Sequence, residues 1–245
     1  MSCPALLVHS GGFTSRQWRK LAAALAPRTV LAPDLLGYGE PWPAGQPFHF
    51  RQDVERLVGV VDEQDTRVHV VGHSYGGFLA LHVALARPER VRSIAVYEPV
   101  AFGVLGSPED DDALAAIASL PGYRPDSDGA DEAWLRAFVD WWNGPGAWSG
   151  LLPDTQHAFR SVAWKLSQEV ASLVRDATRY SDITAPTLVL GGTQTQPAEL
   201  RVVERLAAAL PAATLRILPD LGHMGPITHA AVVNGAIAAH IAAYD

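Results

Sequence analysis

Cysteine is almost absent from this chain. The 245 residues hold one, Cys3, so no internal disulfide can form, and a reducing compartment fits best. With no basic neighbour in sequence, Cys3 reads as an inert thiol and not as a nucleophile. A long apolar run is missing too: Ala5-Leu6-Leu7-Val8 is too short for a signal peptide or a membrane span, and no longer run follows. Nor is there a surplus of positive charge. Lys and Arg number 19 against 26 Asp and Glu, a formal net charge of −7, which argues against a nucleic-acid partner. Metal-ligand spacings, phosphate loops and dinucleotide fingerprints are also lacking, so neither a metal nor a cofactor is expected. At 48% hydrophobic and 18% charged residues, the composition is that of an ordinary folded protein, and the length suits one domain, or one domain with an insertion. What remains is a cytoplasmic enzyme or binding protein.

The chain is organised around Val68-His69-Val70-Val71-Gly72-His73-Ser74-Tyr75-Gly76-Gly77. A β-branched run stops at Gly72, Ser74 has a glycine two residues to either side, and an Ala- and Leu-rich helix follows from Tyr75. This is strand, sharp turn, helix, the Gly-x-Ser-x-Gly nucleophile elbow. Glycines at the flanking positions let strand and helix approach closely, while the serine at the tip takes an unusual backbone conformation. Two N–H groups at the helix start point back towards it, where a developing negative charge would be stabilised. The alternative reading is a glycine-rich helix start that serves packing only.

Around this unit strands and helices alternate. Strands are expected at Pro4–Val8, Arg28–Pro33, Val91–Tyr97, Thr187–Leu190 and Thr214–Leu218. Helices are expected at Gln17–Ala26, over the face Phe50, Val54, Leu57, Val58 and Val61, from Tyr75 to about Arg87, and at Ala198–Leu210 and His229–Tyr244. A Pro-rich loop from Pro41 to Pro47 precedes the second helix. Apolar strands without strict alternation, separated by amphipathic helices, imply a parallel sheet covered on both faces. The rhythm changes over 102–183, which shows no clear strand and reads as a helical insertion into a core formed by 1–101 and 184–245. Its acidic run, Glu109 to Asp112, reads as a solvated helix start. Five of the seven tryptophans fall there, Trp134, Trp141, Trp142, Trp148 and Trp164; they form either the core of a small lobe or the wall of an apolar pocket over Ser74.

A serine hydroxyl needs a base, and histidine has the right pKa. Reactive groups of an open parallel sheet collect beyond the carboxyl ends of its strands, which removes most of the nine histidines. His69 lies inside the elbow strand. His82, His229 and His240 fall in helices or at a helix start, and His49 and His157 at loops or helix margins. His9 and His73 are embedded in turns that demand a structural residue. His223, on a glycine-containing loop after the last strand, remains.

His9-Ser10-Gly11-Gly12 with Trp18, the turn Asp34-Leu-Leu-Gly-Tyr-Gly39, Gly72-His-Ser-Tyr-Gly-Gly77 and Gly222-His223-Met224 together resemble the α/β-hydrolase superfamily over nearly the whole chain outside the insertion. The resemblance implies Ser74 as nucleophile, His223 as base, and an oxyanion hole from the backbone N–H groups of Tyr75 and Gly11, with Gly12 a less suitable stand-in. It also implies that the insertion is a cap. Three departures stand out. The chain starts at the strand the family counts as third, so six parallel strands are expected. Ser10 replaces the usual glycine after His9, its hydroxyl free to reach the pocket or bond the loop. No carboxylate follows the seventh family strand, where Thr195 occupies the expected place. Glu98, after the neighbouring strand, is the candidate acid, as in some family members; it could instead be a turn carboxylate before Pro99. Asp220 is too close in sequence to orient His223, and Asp34 lies on the wrong side of the sheet. The expected activity is cleavage of an ester or related acyl bond in a small molecule with an apolar part, through an acyl-enzyme. The alternatives are C–C hydrolysis, lactone opening or acyl transfer by the same triad, or a non-catalytic small-molecule binder.

Overall fold

The computed structural model describes residues 2–40, 42–43, 46–119, 131–174 and 176–245. Parts of the expected Pro-rich loop (41, 44 and 45) and of the expected insertion (120–130 and 175) lie outside the described residues. Six parallel strands form one sheet: β1 (Ala5–Val8), β2 (Val30–Leu31), β3 (Val68–His73), β4 (Val91–Tyr97), β5 (Thr187–Gly192) and β6 (Ala213–Leu218), in the order β2-β1-β3-β4-β5-β6. The helices are α1 (Arg19–Ala24), α2 (Phe50–Asp62), α3 (Tyr75–Ala86), α4 (Asp111–Ala118), α5 (Glu132–Asn143), α6 (Ala147–Gly150), α7 (Pro153–Leu173), α8 (Pro197–Ala209), α9 (Gly225–Thr228) and α10 (Ala230–Ala243).

Both sheet faces are covered, and alternation along each strand decides which side chain goes where. Leu6, Val8, Val70, Ile94, Val96 and Val189 pack with α2, α3 and α8 on one face. Ala5, Leu7, Val71, Ala95, Leu188 and Leu190 pack with α1 and α10 on the other. The central strands are apolar on both sides because both sides are interior. Each fully buried Leu or Val on α2, such as Leu57 and Val61, contributes roughly 1.5–3 kcal/mol.

Several local expectations need correction. The second strand is two residues long, not six: it is an edge strand that pairs only with Ala5 and Leu6, and Pro33 has no N–H to donate. The first helix opens with a 3₁₀ turn, Ser15–Trp18, before α1. The C-terminal helix stands where it is expected, and a short helix, α9, precedes it. The acidic run does start a helix, but it is not simply solvated. Asp110 is 1% exposed, accepts from Ser107 N–H and Oγ, and receives Arg201 and Arg205 of α8 at 2.7 and 2.9 Å. Burial alone would raise its pKa, but Arg205, the backbone N–H groups and Arg201 together hold it below the ordinary range.

Among the described residues between β4 and β5 there is no strand. Trp134, Leu135, Val139, Trp148, Phe159, Ala163, Leu166 and Val170 form a separate apolar cluster there, built from α5, α6 and α7. Asp140 braces it by accepting from Trp148 N–H at 2.7 Å.

Candidate active site

The strand order turns back on itself between β1 and β3, and such a switch point opens a crevice at the carboxyl edge of a parallel sheet. Ser74 caps β3 there with φ 54° and ψ −122°, a conformation rarely adopted by non-glycine residues. Close approach demands the flanking glycines: a Cβ on Gly72 would strike the Gly76 carbonyl, and one on Gly76 the carbonyls of Val8 and His9. The Ser74 N–H extends the ladder to the Tyr97 carbonyl at 3.0 Å.

His223, on the loop after β6, puts Nε2 3.0 Å from Ser74 Oγ, and its Nδ1 lies 2.8 Å from Glu98 Oε2. All three are buried. Glu98 follows β4 with φ 43°. Its Oε1 accepts from Gly192 N–H at 2.8 Å, and its Oε2 also accepts from Thr195 Oγ1 at 2.7 Å. With an acceptor-only carboxylate on Nδ1, the imidazole carries its proton there and leaves Nε2 bare towards the serine. The carboxylate reaches His223 from the neighbouring strand end, and Thr195 contributes a donor to it. Asp220 is exposed with its N–H bonded to Thr193 Oγ1, and Asp34 accepts from Ser15 N–H; neither is bonded to His223.

The other two strand-end histidines are structural. His9 donates Nδ1–H to the Ser10 carbonyl and accepts from Leu35 N–H at Nε2; burial lowers its pKa to about 4, so it stays neutral. His73 accepts from Gln17 at Nδ1 and donates Nε2–H to the His223 carbonyl at 2.8 Å. Burial, reinforced by the charge His223 can carry, pushes its pKa well down. The Tyr97 hydroxyl donates to the Gly222 carbonyl at 2.8 Å and fixes the same loop. His69 bonds Ser93 at the opposite end of β3. The one cluster of three metal-capable side chains among the described residues, Cys3, His69 and Asp245, is at that far end, where Arg28 already pairs with Asp245.

Gly11, Ser74, Tyr75 and His223 all line a cavity of about 300 Å³. Tyr75 is the first residue of α3, so its N–H has no partner within the helix. The Gly12 N–H is taken by the Tyr38 hydroxyl at 2.9 Å, which leaves Gly11 the better placed donor of the two. Ser10 lines the cavity, and its hydroxyl bonds the Gly11 carbonyl at 3.3 Å. The remaining wall is mostly apolar, with Phe13, Phe102, Phe138, Phe159 and Met224 prominent, and among the described residues no Lys or Arg lines it. The tryptophans divide between the two expected roles. Trp134 and Trp148 belong to the lobe core, whereas Trp142 lines the cavity and stacks on His223, ring centroids 3.9 Å apart and planes 23° from parallel.

Beneath the cavity lies a charged network that pattern reading did not find. Lys165 of α7 donates to Asp53 Oδ2 at 2.9 Å and Glu169 Oε1 at 2.5 Å, Tyr75 donates to Asp53 Oδ2 at 2.9 Å, and Tyr38 donates to Glu169 Oε1 at 2.8 Å. Lys165, Asp53 and Glu169 are each no more than 2% exposed. Burial raises the Glu169 pKa to about 7 although Lys165 opposes the rise. The signal was present in the spacing: Asp53 occupies the same face of α2 as Phe50, Leu57 and Val61, and Lys165 and Glu169 flank Leu166 on α7.

A sequence model described as the Alpha/beta hydrolase family matches residues 5–236. The chain belongs to that family. Lipase LipV of Mycobacterium tuberculosis is 34% identical over 242 residues, 90% of this chain and 86% of the lipase. A 2-hydroxymuconate semialdehyde hydrolase of Pseudomonas putida is 28% identical over 244 residues, 93% of this chain and 83% of that protein. A hydrolase from Pseudomonas aeruginosa has a solved structure that covers 98% of this α/β hydrolase and 90% of its own chain, with a TM-score of 0.73 at 22% identity, a likeness of fold. This protein is accordingly a hydrolase of the α/β type.

Proposed function

We propose that the protein is a serine hydrolase that cleaves a carboxylic ester or related acyl bond through an acyl-enzyme, with residues 102–183 as a cap over the site. The observation that carries this reading is the continuous relay from Glu98 through His223 to Ser74, with bonds of 2.8 and 3.0 Å, opening on a cavity that Gly11 and Tyr75 border.

In this mechanism Ser74 Oγ attacks the carbonyl carbon as its proton passes to His223 Nε2. The carbonyl oxygen becomes an oxyanion and takes hydrogen bonds from the N–H groups of Gly11 and Tyr75. Glu98 holds the ring and balances the imidazolium charge, while Trp142 presents a π-face to the same cation. The tetrahedral intermediate collapses, the bond to the leaving group breaks, and His223 returns the proton to it. Water then gives up a proton to His223 and attacks the acyl carbon, and collapse of the second intermediate frees Ser74 and the acid.

The hydrolase relatives include one named for a semialdehyde, so C–C cleavage by the same residues is the second reading. The cavity wall favours a neutral ester over an anionic substrate: among the described residues a free carboxylate entering it would meet Glu169 and no lysine or arginine. A fluorophosphonate probe tests the nucleophile. Labelling of the folded protein that is lost in Ser74→Ala is expected; absence of labelling would leave a binding protein with an unused triad. Product identification over aryl esters, lactones and vinylogous 1,5-diketones separates acyl from C–C chemistry.

A further inference from the structure

Glu169 is the one acidic side chain on the cavity wall among the described residues, and its two oxygens are used unequally. Oε1 accepts from both Lys165 and Tyr38. Oε2 has no hydrogen-bond partner among the described residues, on a side chain 1% exposed. That oxygen lies against Gly11, where a Cβ would come within 2.6 Å of it. The bare acceptor therefore stands beside the backbone that is proposed to hold the oxyanion. Charge points the same way: a single ammonium, Lys165, serves two carboxylates, Asp53 and Glu169, and among the described residues no lysine or arginine lines the cavity. A buried acceptor in apolar surroundings is costly when unpaired and selective when a ligand completes it.

We infer that Glu169 is a specificity-determining residue whose Oε2 accepts a hydrogen bond from a hydroxyl or N–H that the substrate carries close to its reacting carbonyl. Esters of short hydroxyacyl or aminoacyl type then outrank plain acyl esters of the same length. The inference rests on the reading that Ser74, Gly11 and Tyr75 hold the carbonyl.

The test uses phenyl butyrate with its 3-hydroxy, 3-amino and 3-methoxy derivatives at pH 8, each kcat/KM divided by the ester's own hydroxide-catalysed rate. A bond to a carboxylate predicts a preference of roughly ten- to a hundredfold for the hydroxy or amino ester over the parent, and none for the methoxy ester. In Glu169→Gln the amide oxygen stays with Lys165 and Tyr38, which turns the NH₂ towards the cavity. The amino ester, a donor only, should lose its preference and the methoxy ester, an acceptor only, should gain one, while the hydroxy ester can turn and accept from the amide. In Glu169→Leu the ratios should fall to near one. A purely structural role would shift all the esters together and leave their ratios alone. Ratios near one in the wild type, or an amino-ester preference that survives Glu169→Gln, overturn the inference. If no ester is hydrolysed, the proposed function fails, and calorimetry of the same esters on Ser74→Ala decides Glu169 separately. Tenfold tighter binding of the hydroxy or amino ester than of its parent supports the role; equal or undetectable affinity overturns it.

Discussion

Replacing Glu98 with Gln changes one atom and should remove most of the activity, for a reason that can be followed bond by bond. The Gly192 N–H needs an acceptor at Oε1, so the glutamine places its carbonyl there and its NH₂ towards Thr195 and His223. Nδ1 of His223 must then accept and not donate. The ring proton moves to Nε2, where it faces Ser74 Oγ at 3.0 Å, and the base is lost. The imidazolium of the transition state also loses its counter-charge. A unit charge pair at about 4 Å and an effective dielectric constant of about 20 is worth about 4 kcal/mol, a factor of roughly 10³. Wrong tautomer and missing charge together predict a fall in kcat of roughly 10³–10⁴. The assay is steady-state hydrolysis of a phenyl ester alongside the rate of fluorophosphonate labelling, which should slow in parallel, with thermal unfolding followed by circular dichroism as the control. Adding Thr195→Asp to the Glu98→Gln protein should recover at least tenfold, because Thr195 Oγ1 sits 2.7 Å from the carboxylate oxygen that contacts His223. A kcat within tenfold of wild type in Glu98→Gln would refute the assignment of Glu98, and so would a loss explained by unfolding.

Trp142→Ala removes the ring stacked on His223 and should lower kcat/KM roughly 2- to 30-fold, the range of a cation–π contact; unchanged kinetics would confine Trp142 to packing. Lys165→Met leaves Asp53 and Glu169 buried without their cation, so urea denaturation at pH 8 should show a loss of about 3–5 kcal/mol, and no loss would mean the network carries no stability. Glu199 of α8 is fully buried, neither of its oxygens has a partner among the described residues, and burial followed by the Glu98 charge raises its pKa well above the ordinary value. An acid with a raised folded-state pKa carries no titration cost below its unfolded value of about 4.5 and costs progressively more above it, about 1.4 kcal/mol per pH unit until the folded value is reached, so the stability of Glu199→Met minus that of wild type should grow from pH 4 to pH 8. A difference that stays flat with pH would show that Glu199 is ionised in the fold.

The sequence exposed what is local and periodic, and the site needs more than that. β3, its turn and α3 were readable because glycines on both sides of Ser74 announce a strained tip. Glu98 takes an equally unusual φ of 43° with no glycine near it, only Pro99. Its conformation is held from the next strand, by the bond from its N–H to the Leu190 carbonyl at 2.9 Å and by the Gly192 N–H on its carboxylate, so nothing within its own segment separates it from an ordinary turn acid. The same limit hid Lys165 and Glu169, which look like an exposed helical ion pair until Asp53, 112 positions away in the chain, is brought beneath them. It also misread Asp110, whose burial depends on Arg201 and Arg205 standing one turn apart on α8. Trp134 and Trp142 share one helix, yet one fills the lobe and the other covers His223, a division made by how the lobe sits on the sheet. Charges on apolar faces are thus the residues whose meaning waits for tertiary structure, and in this protein they lie next to the proposed nucleophile and acid.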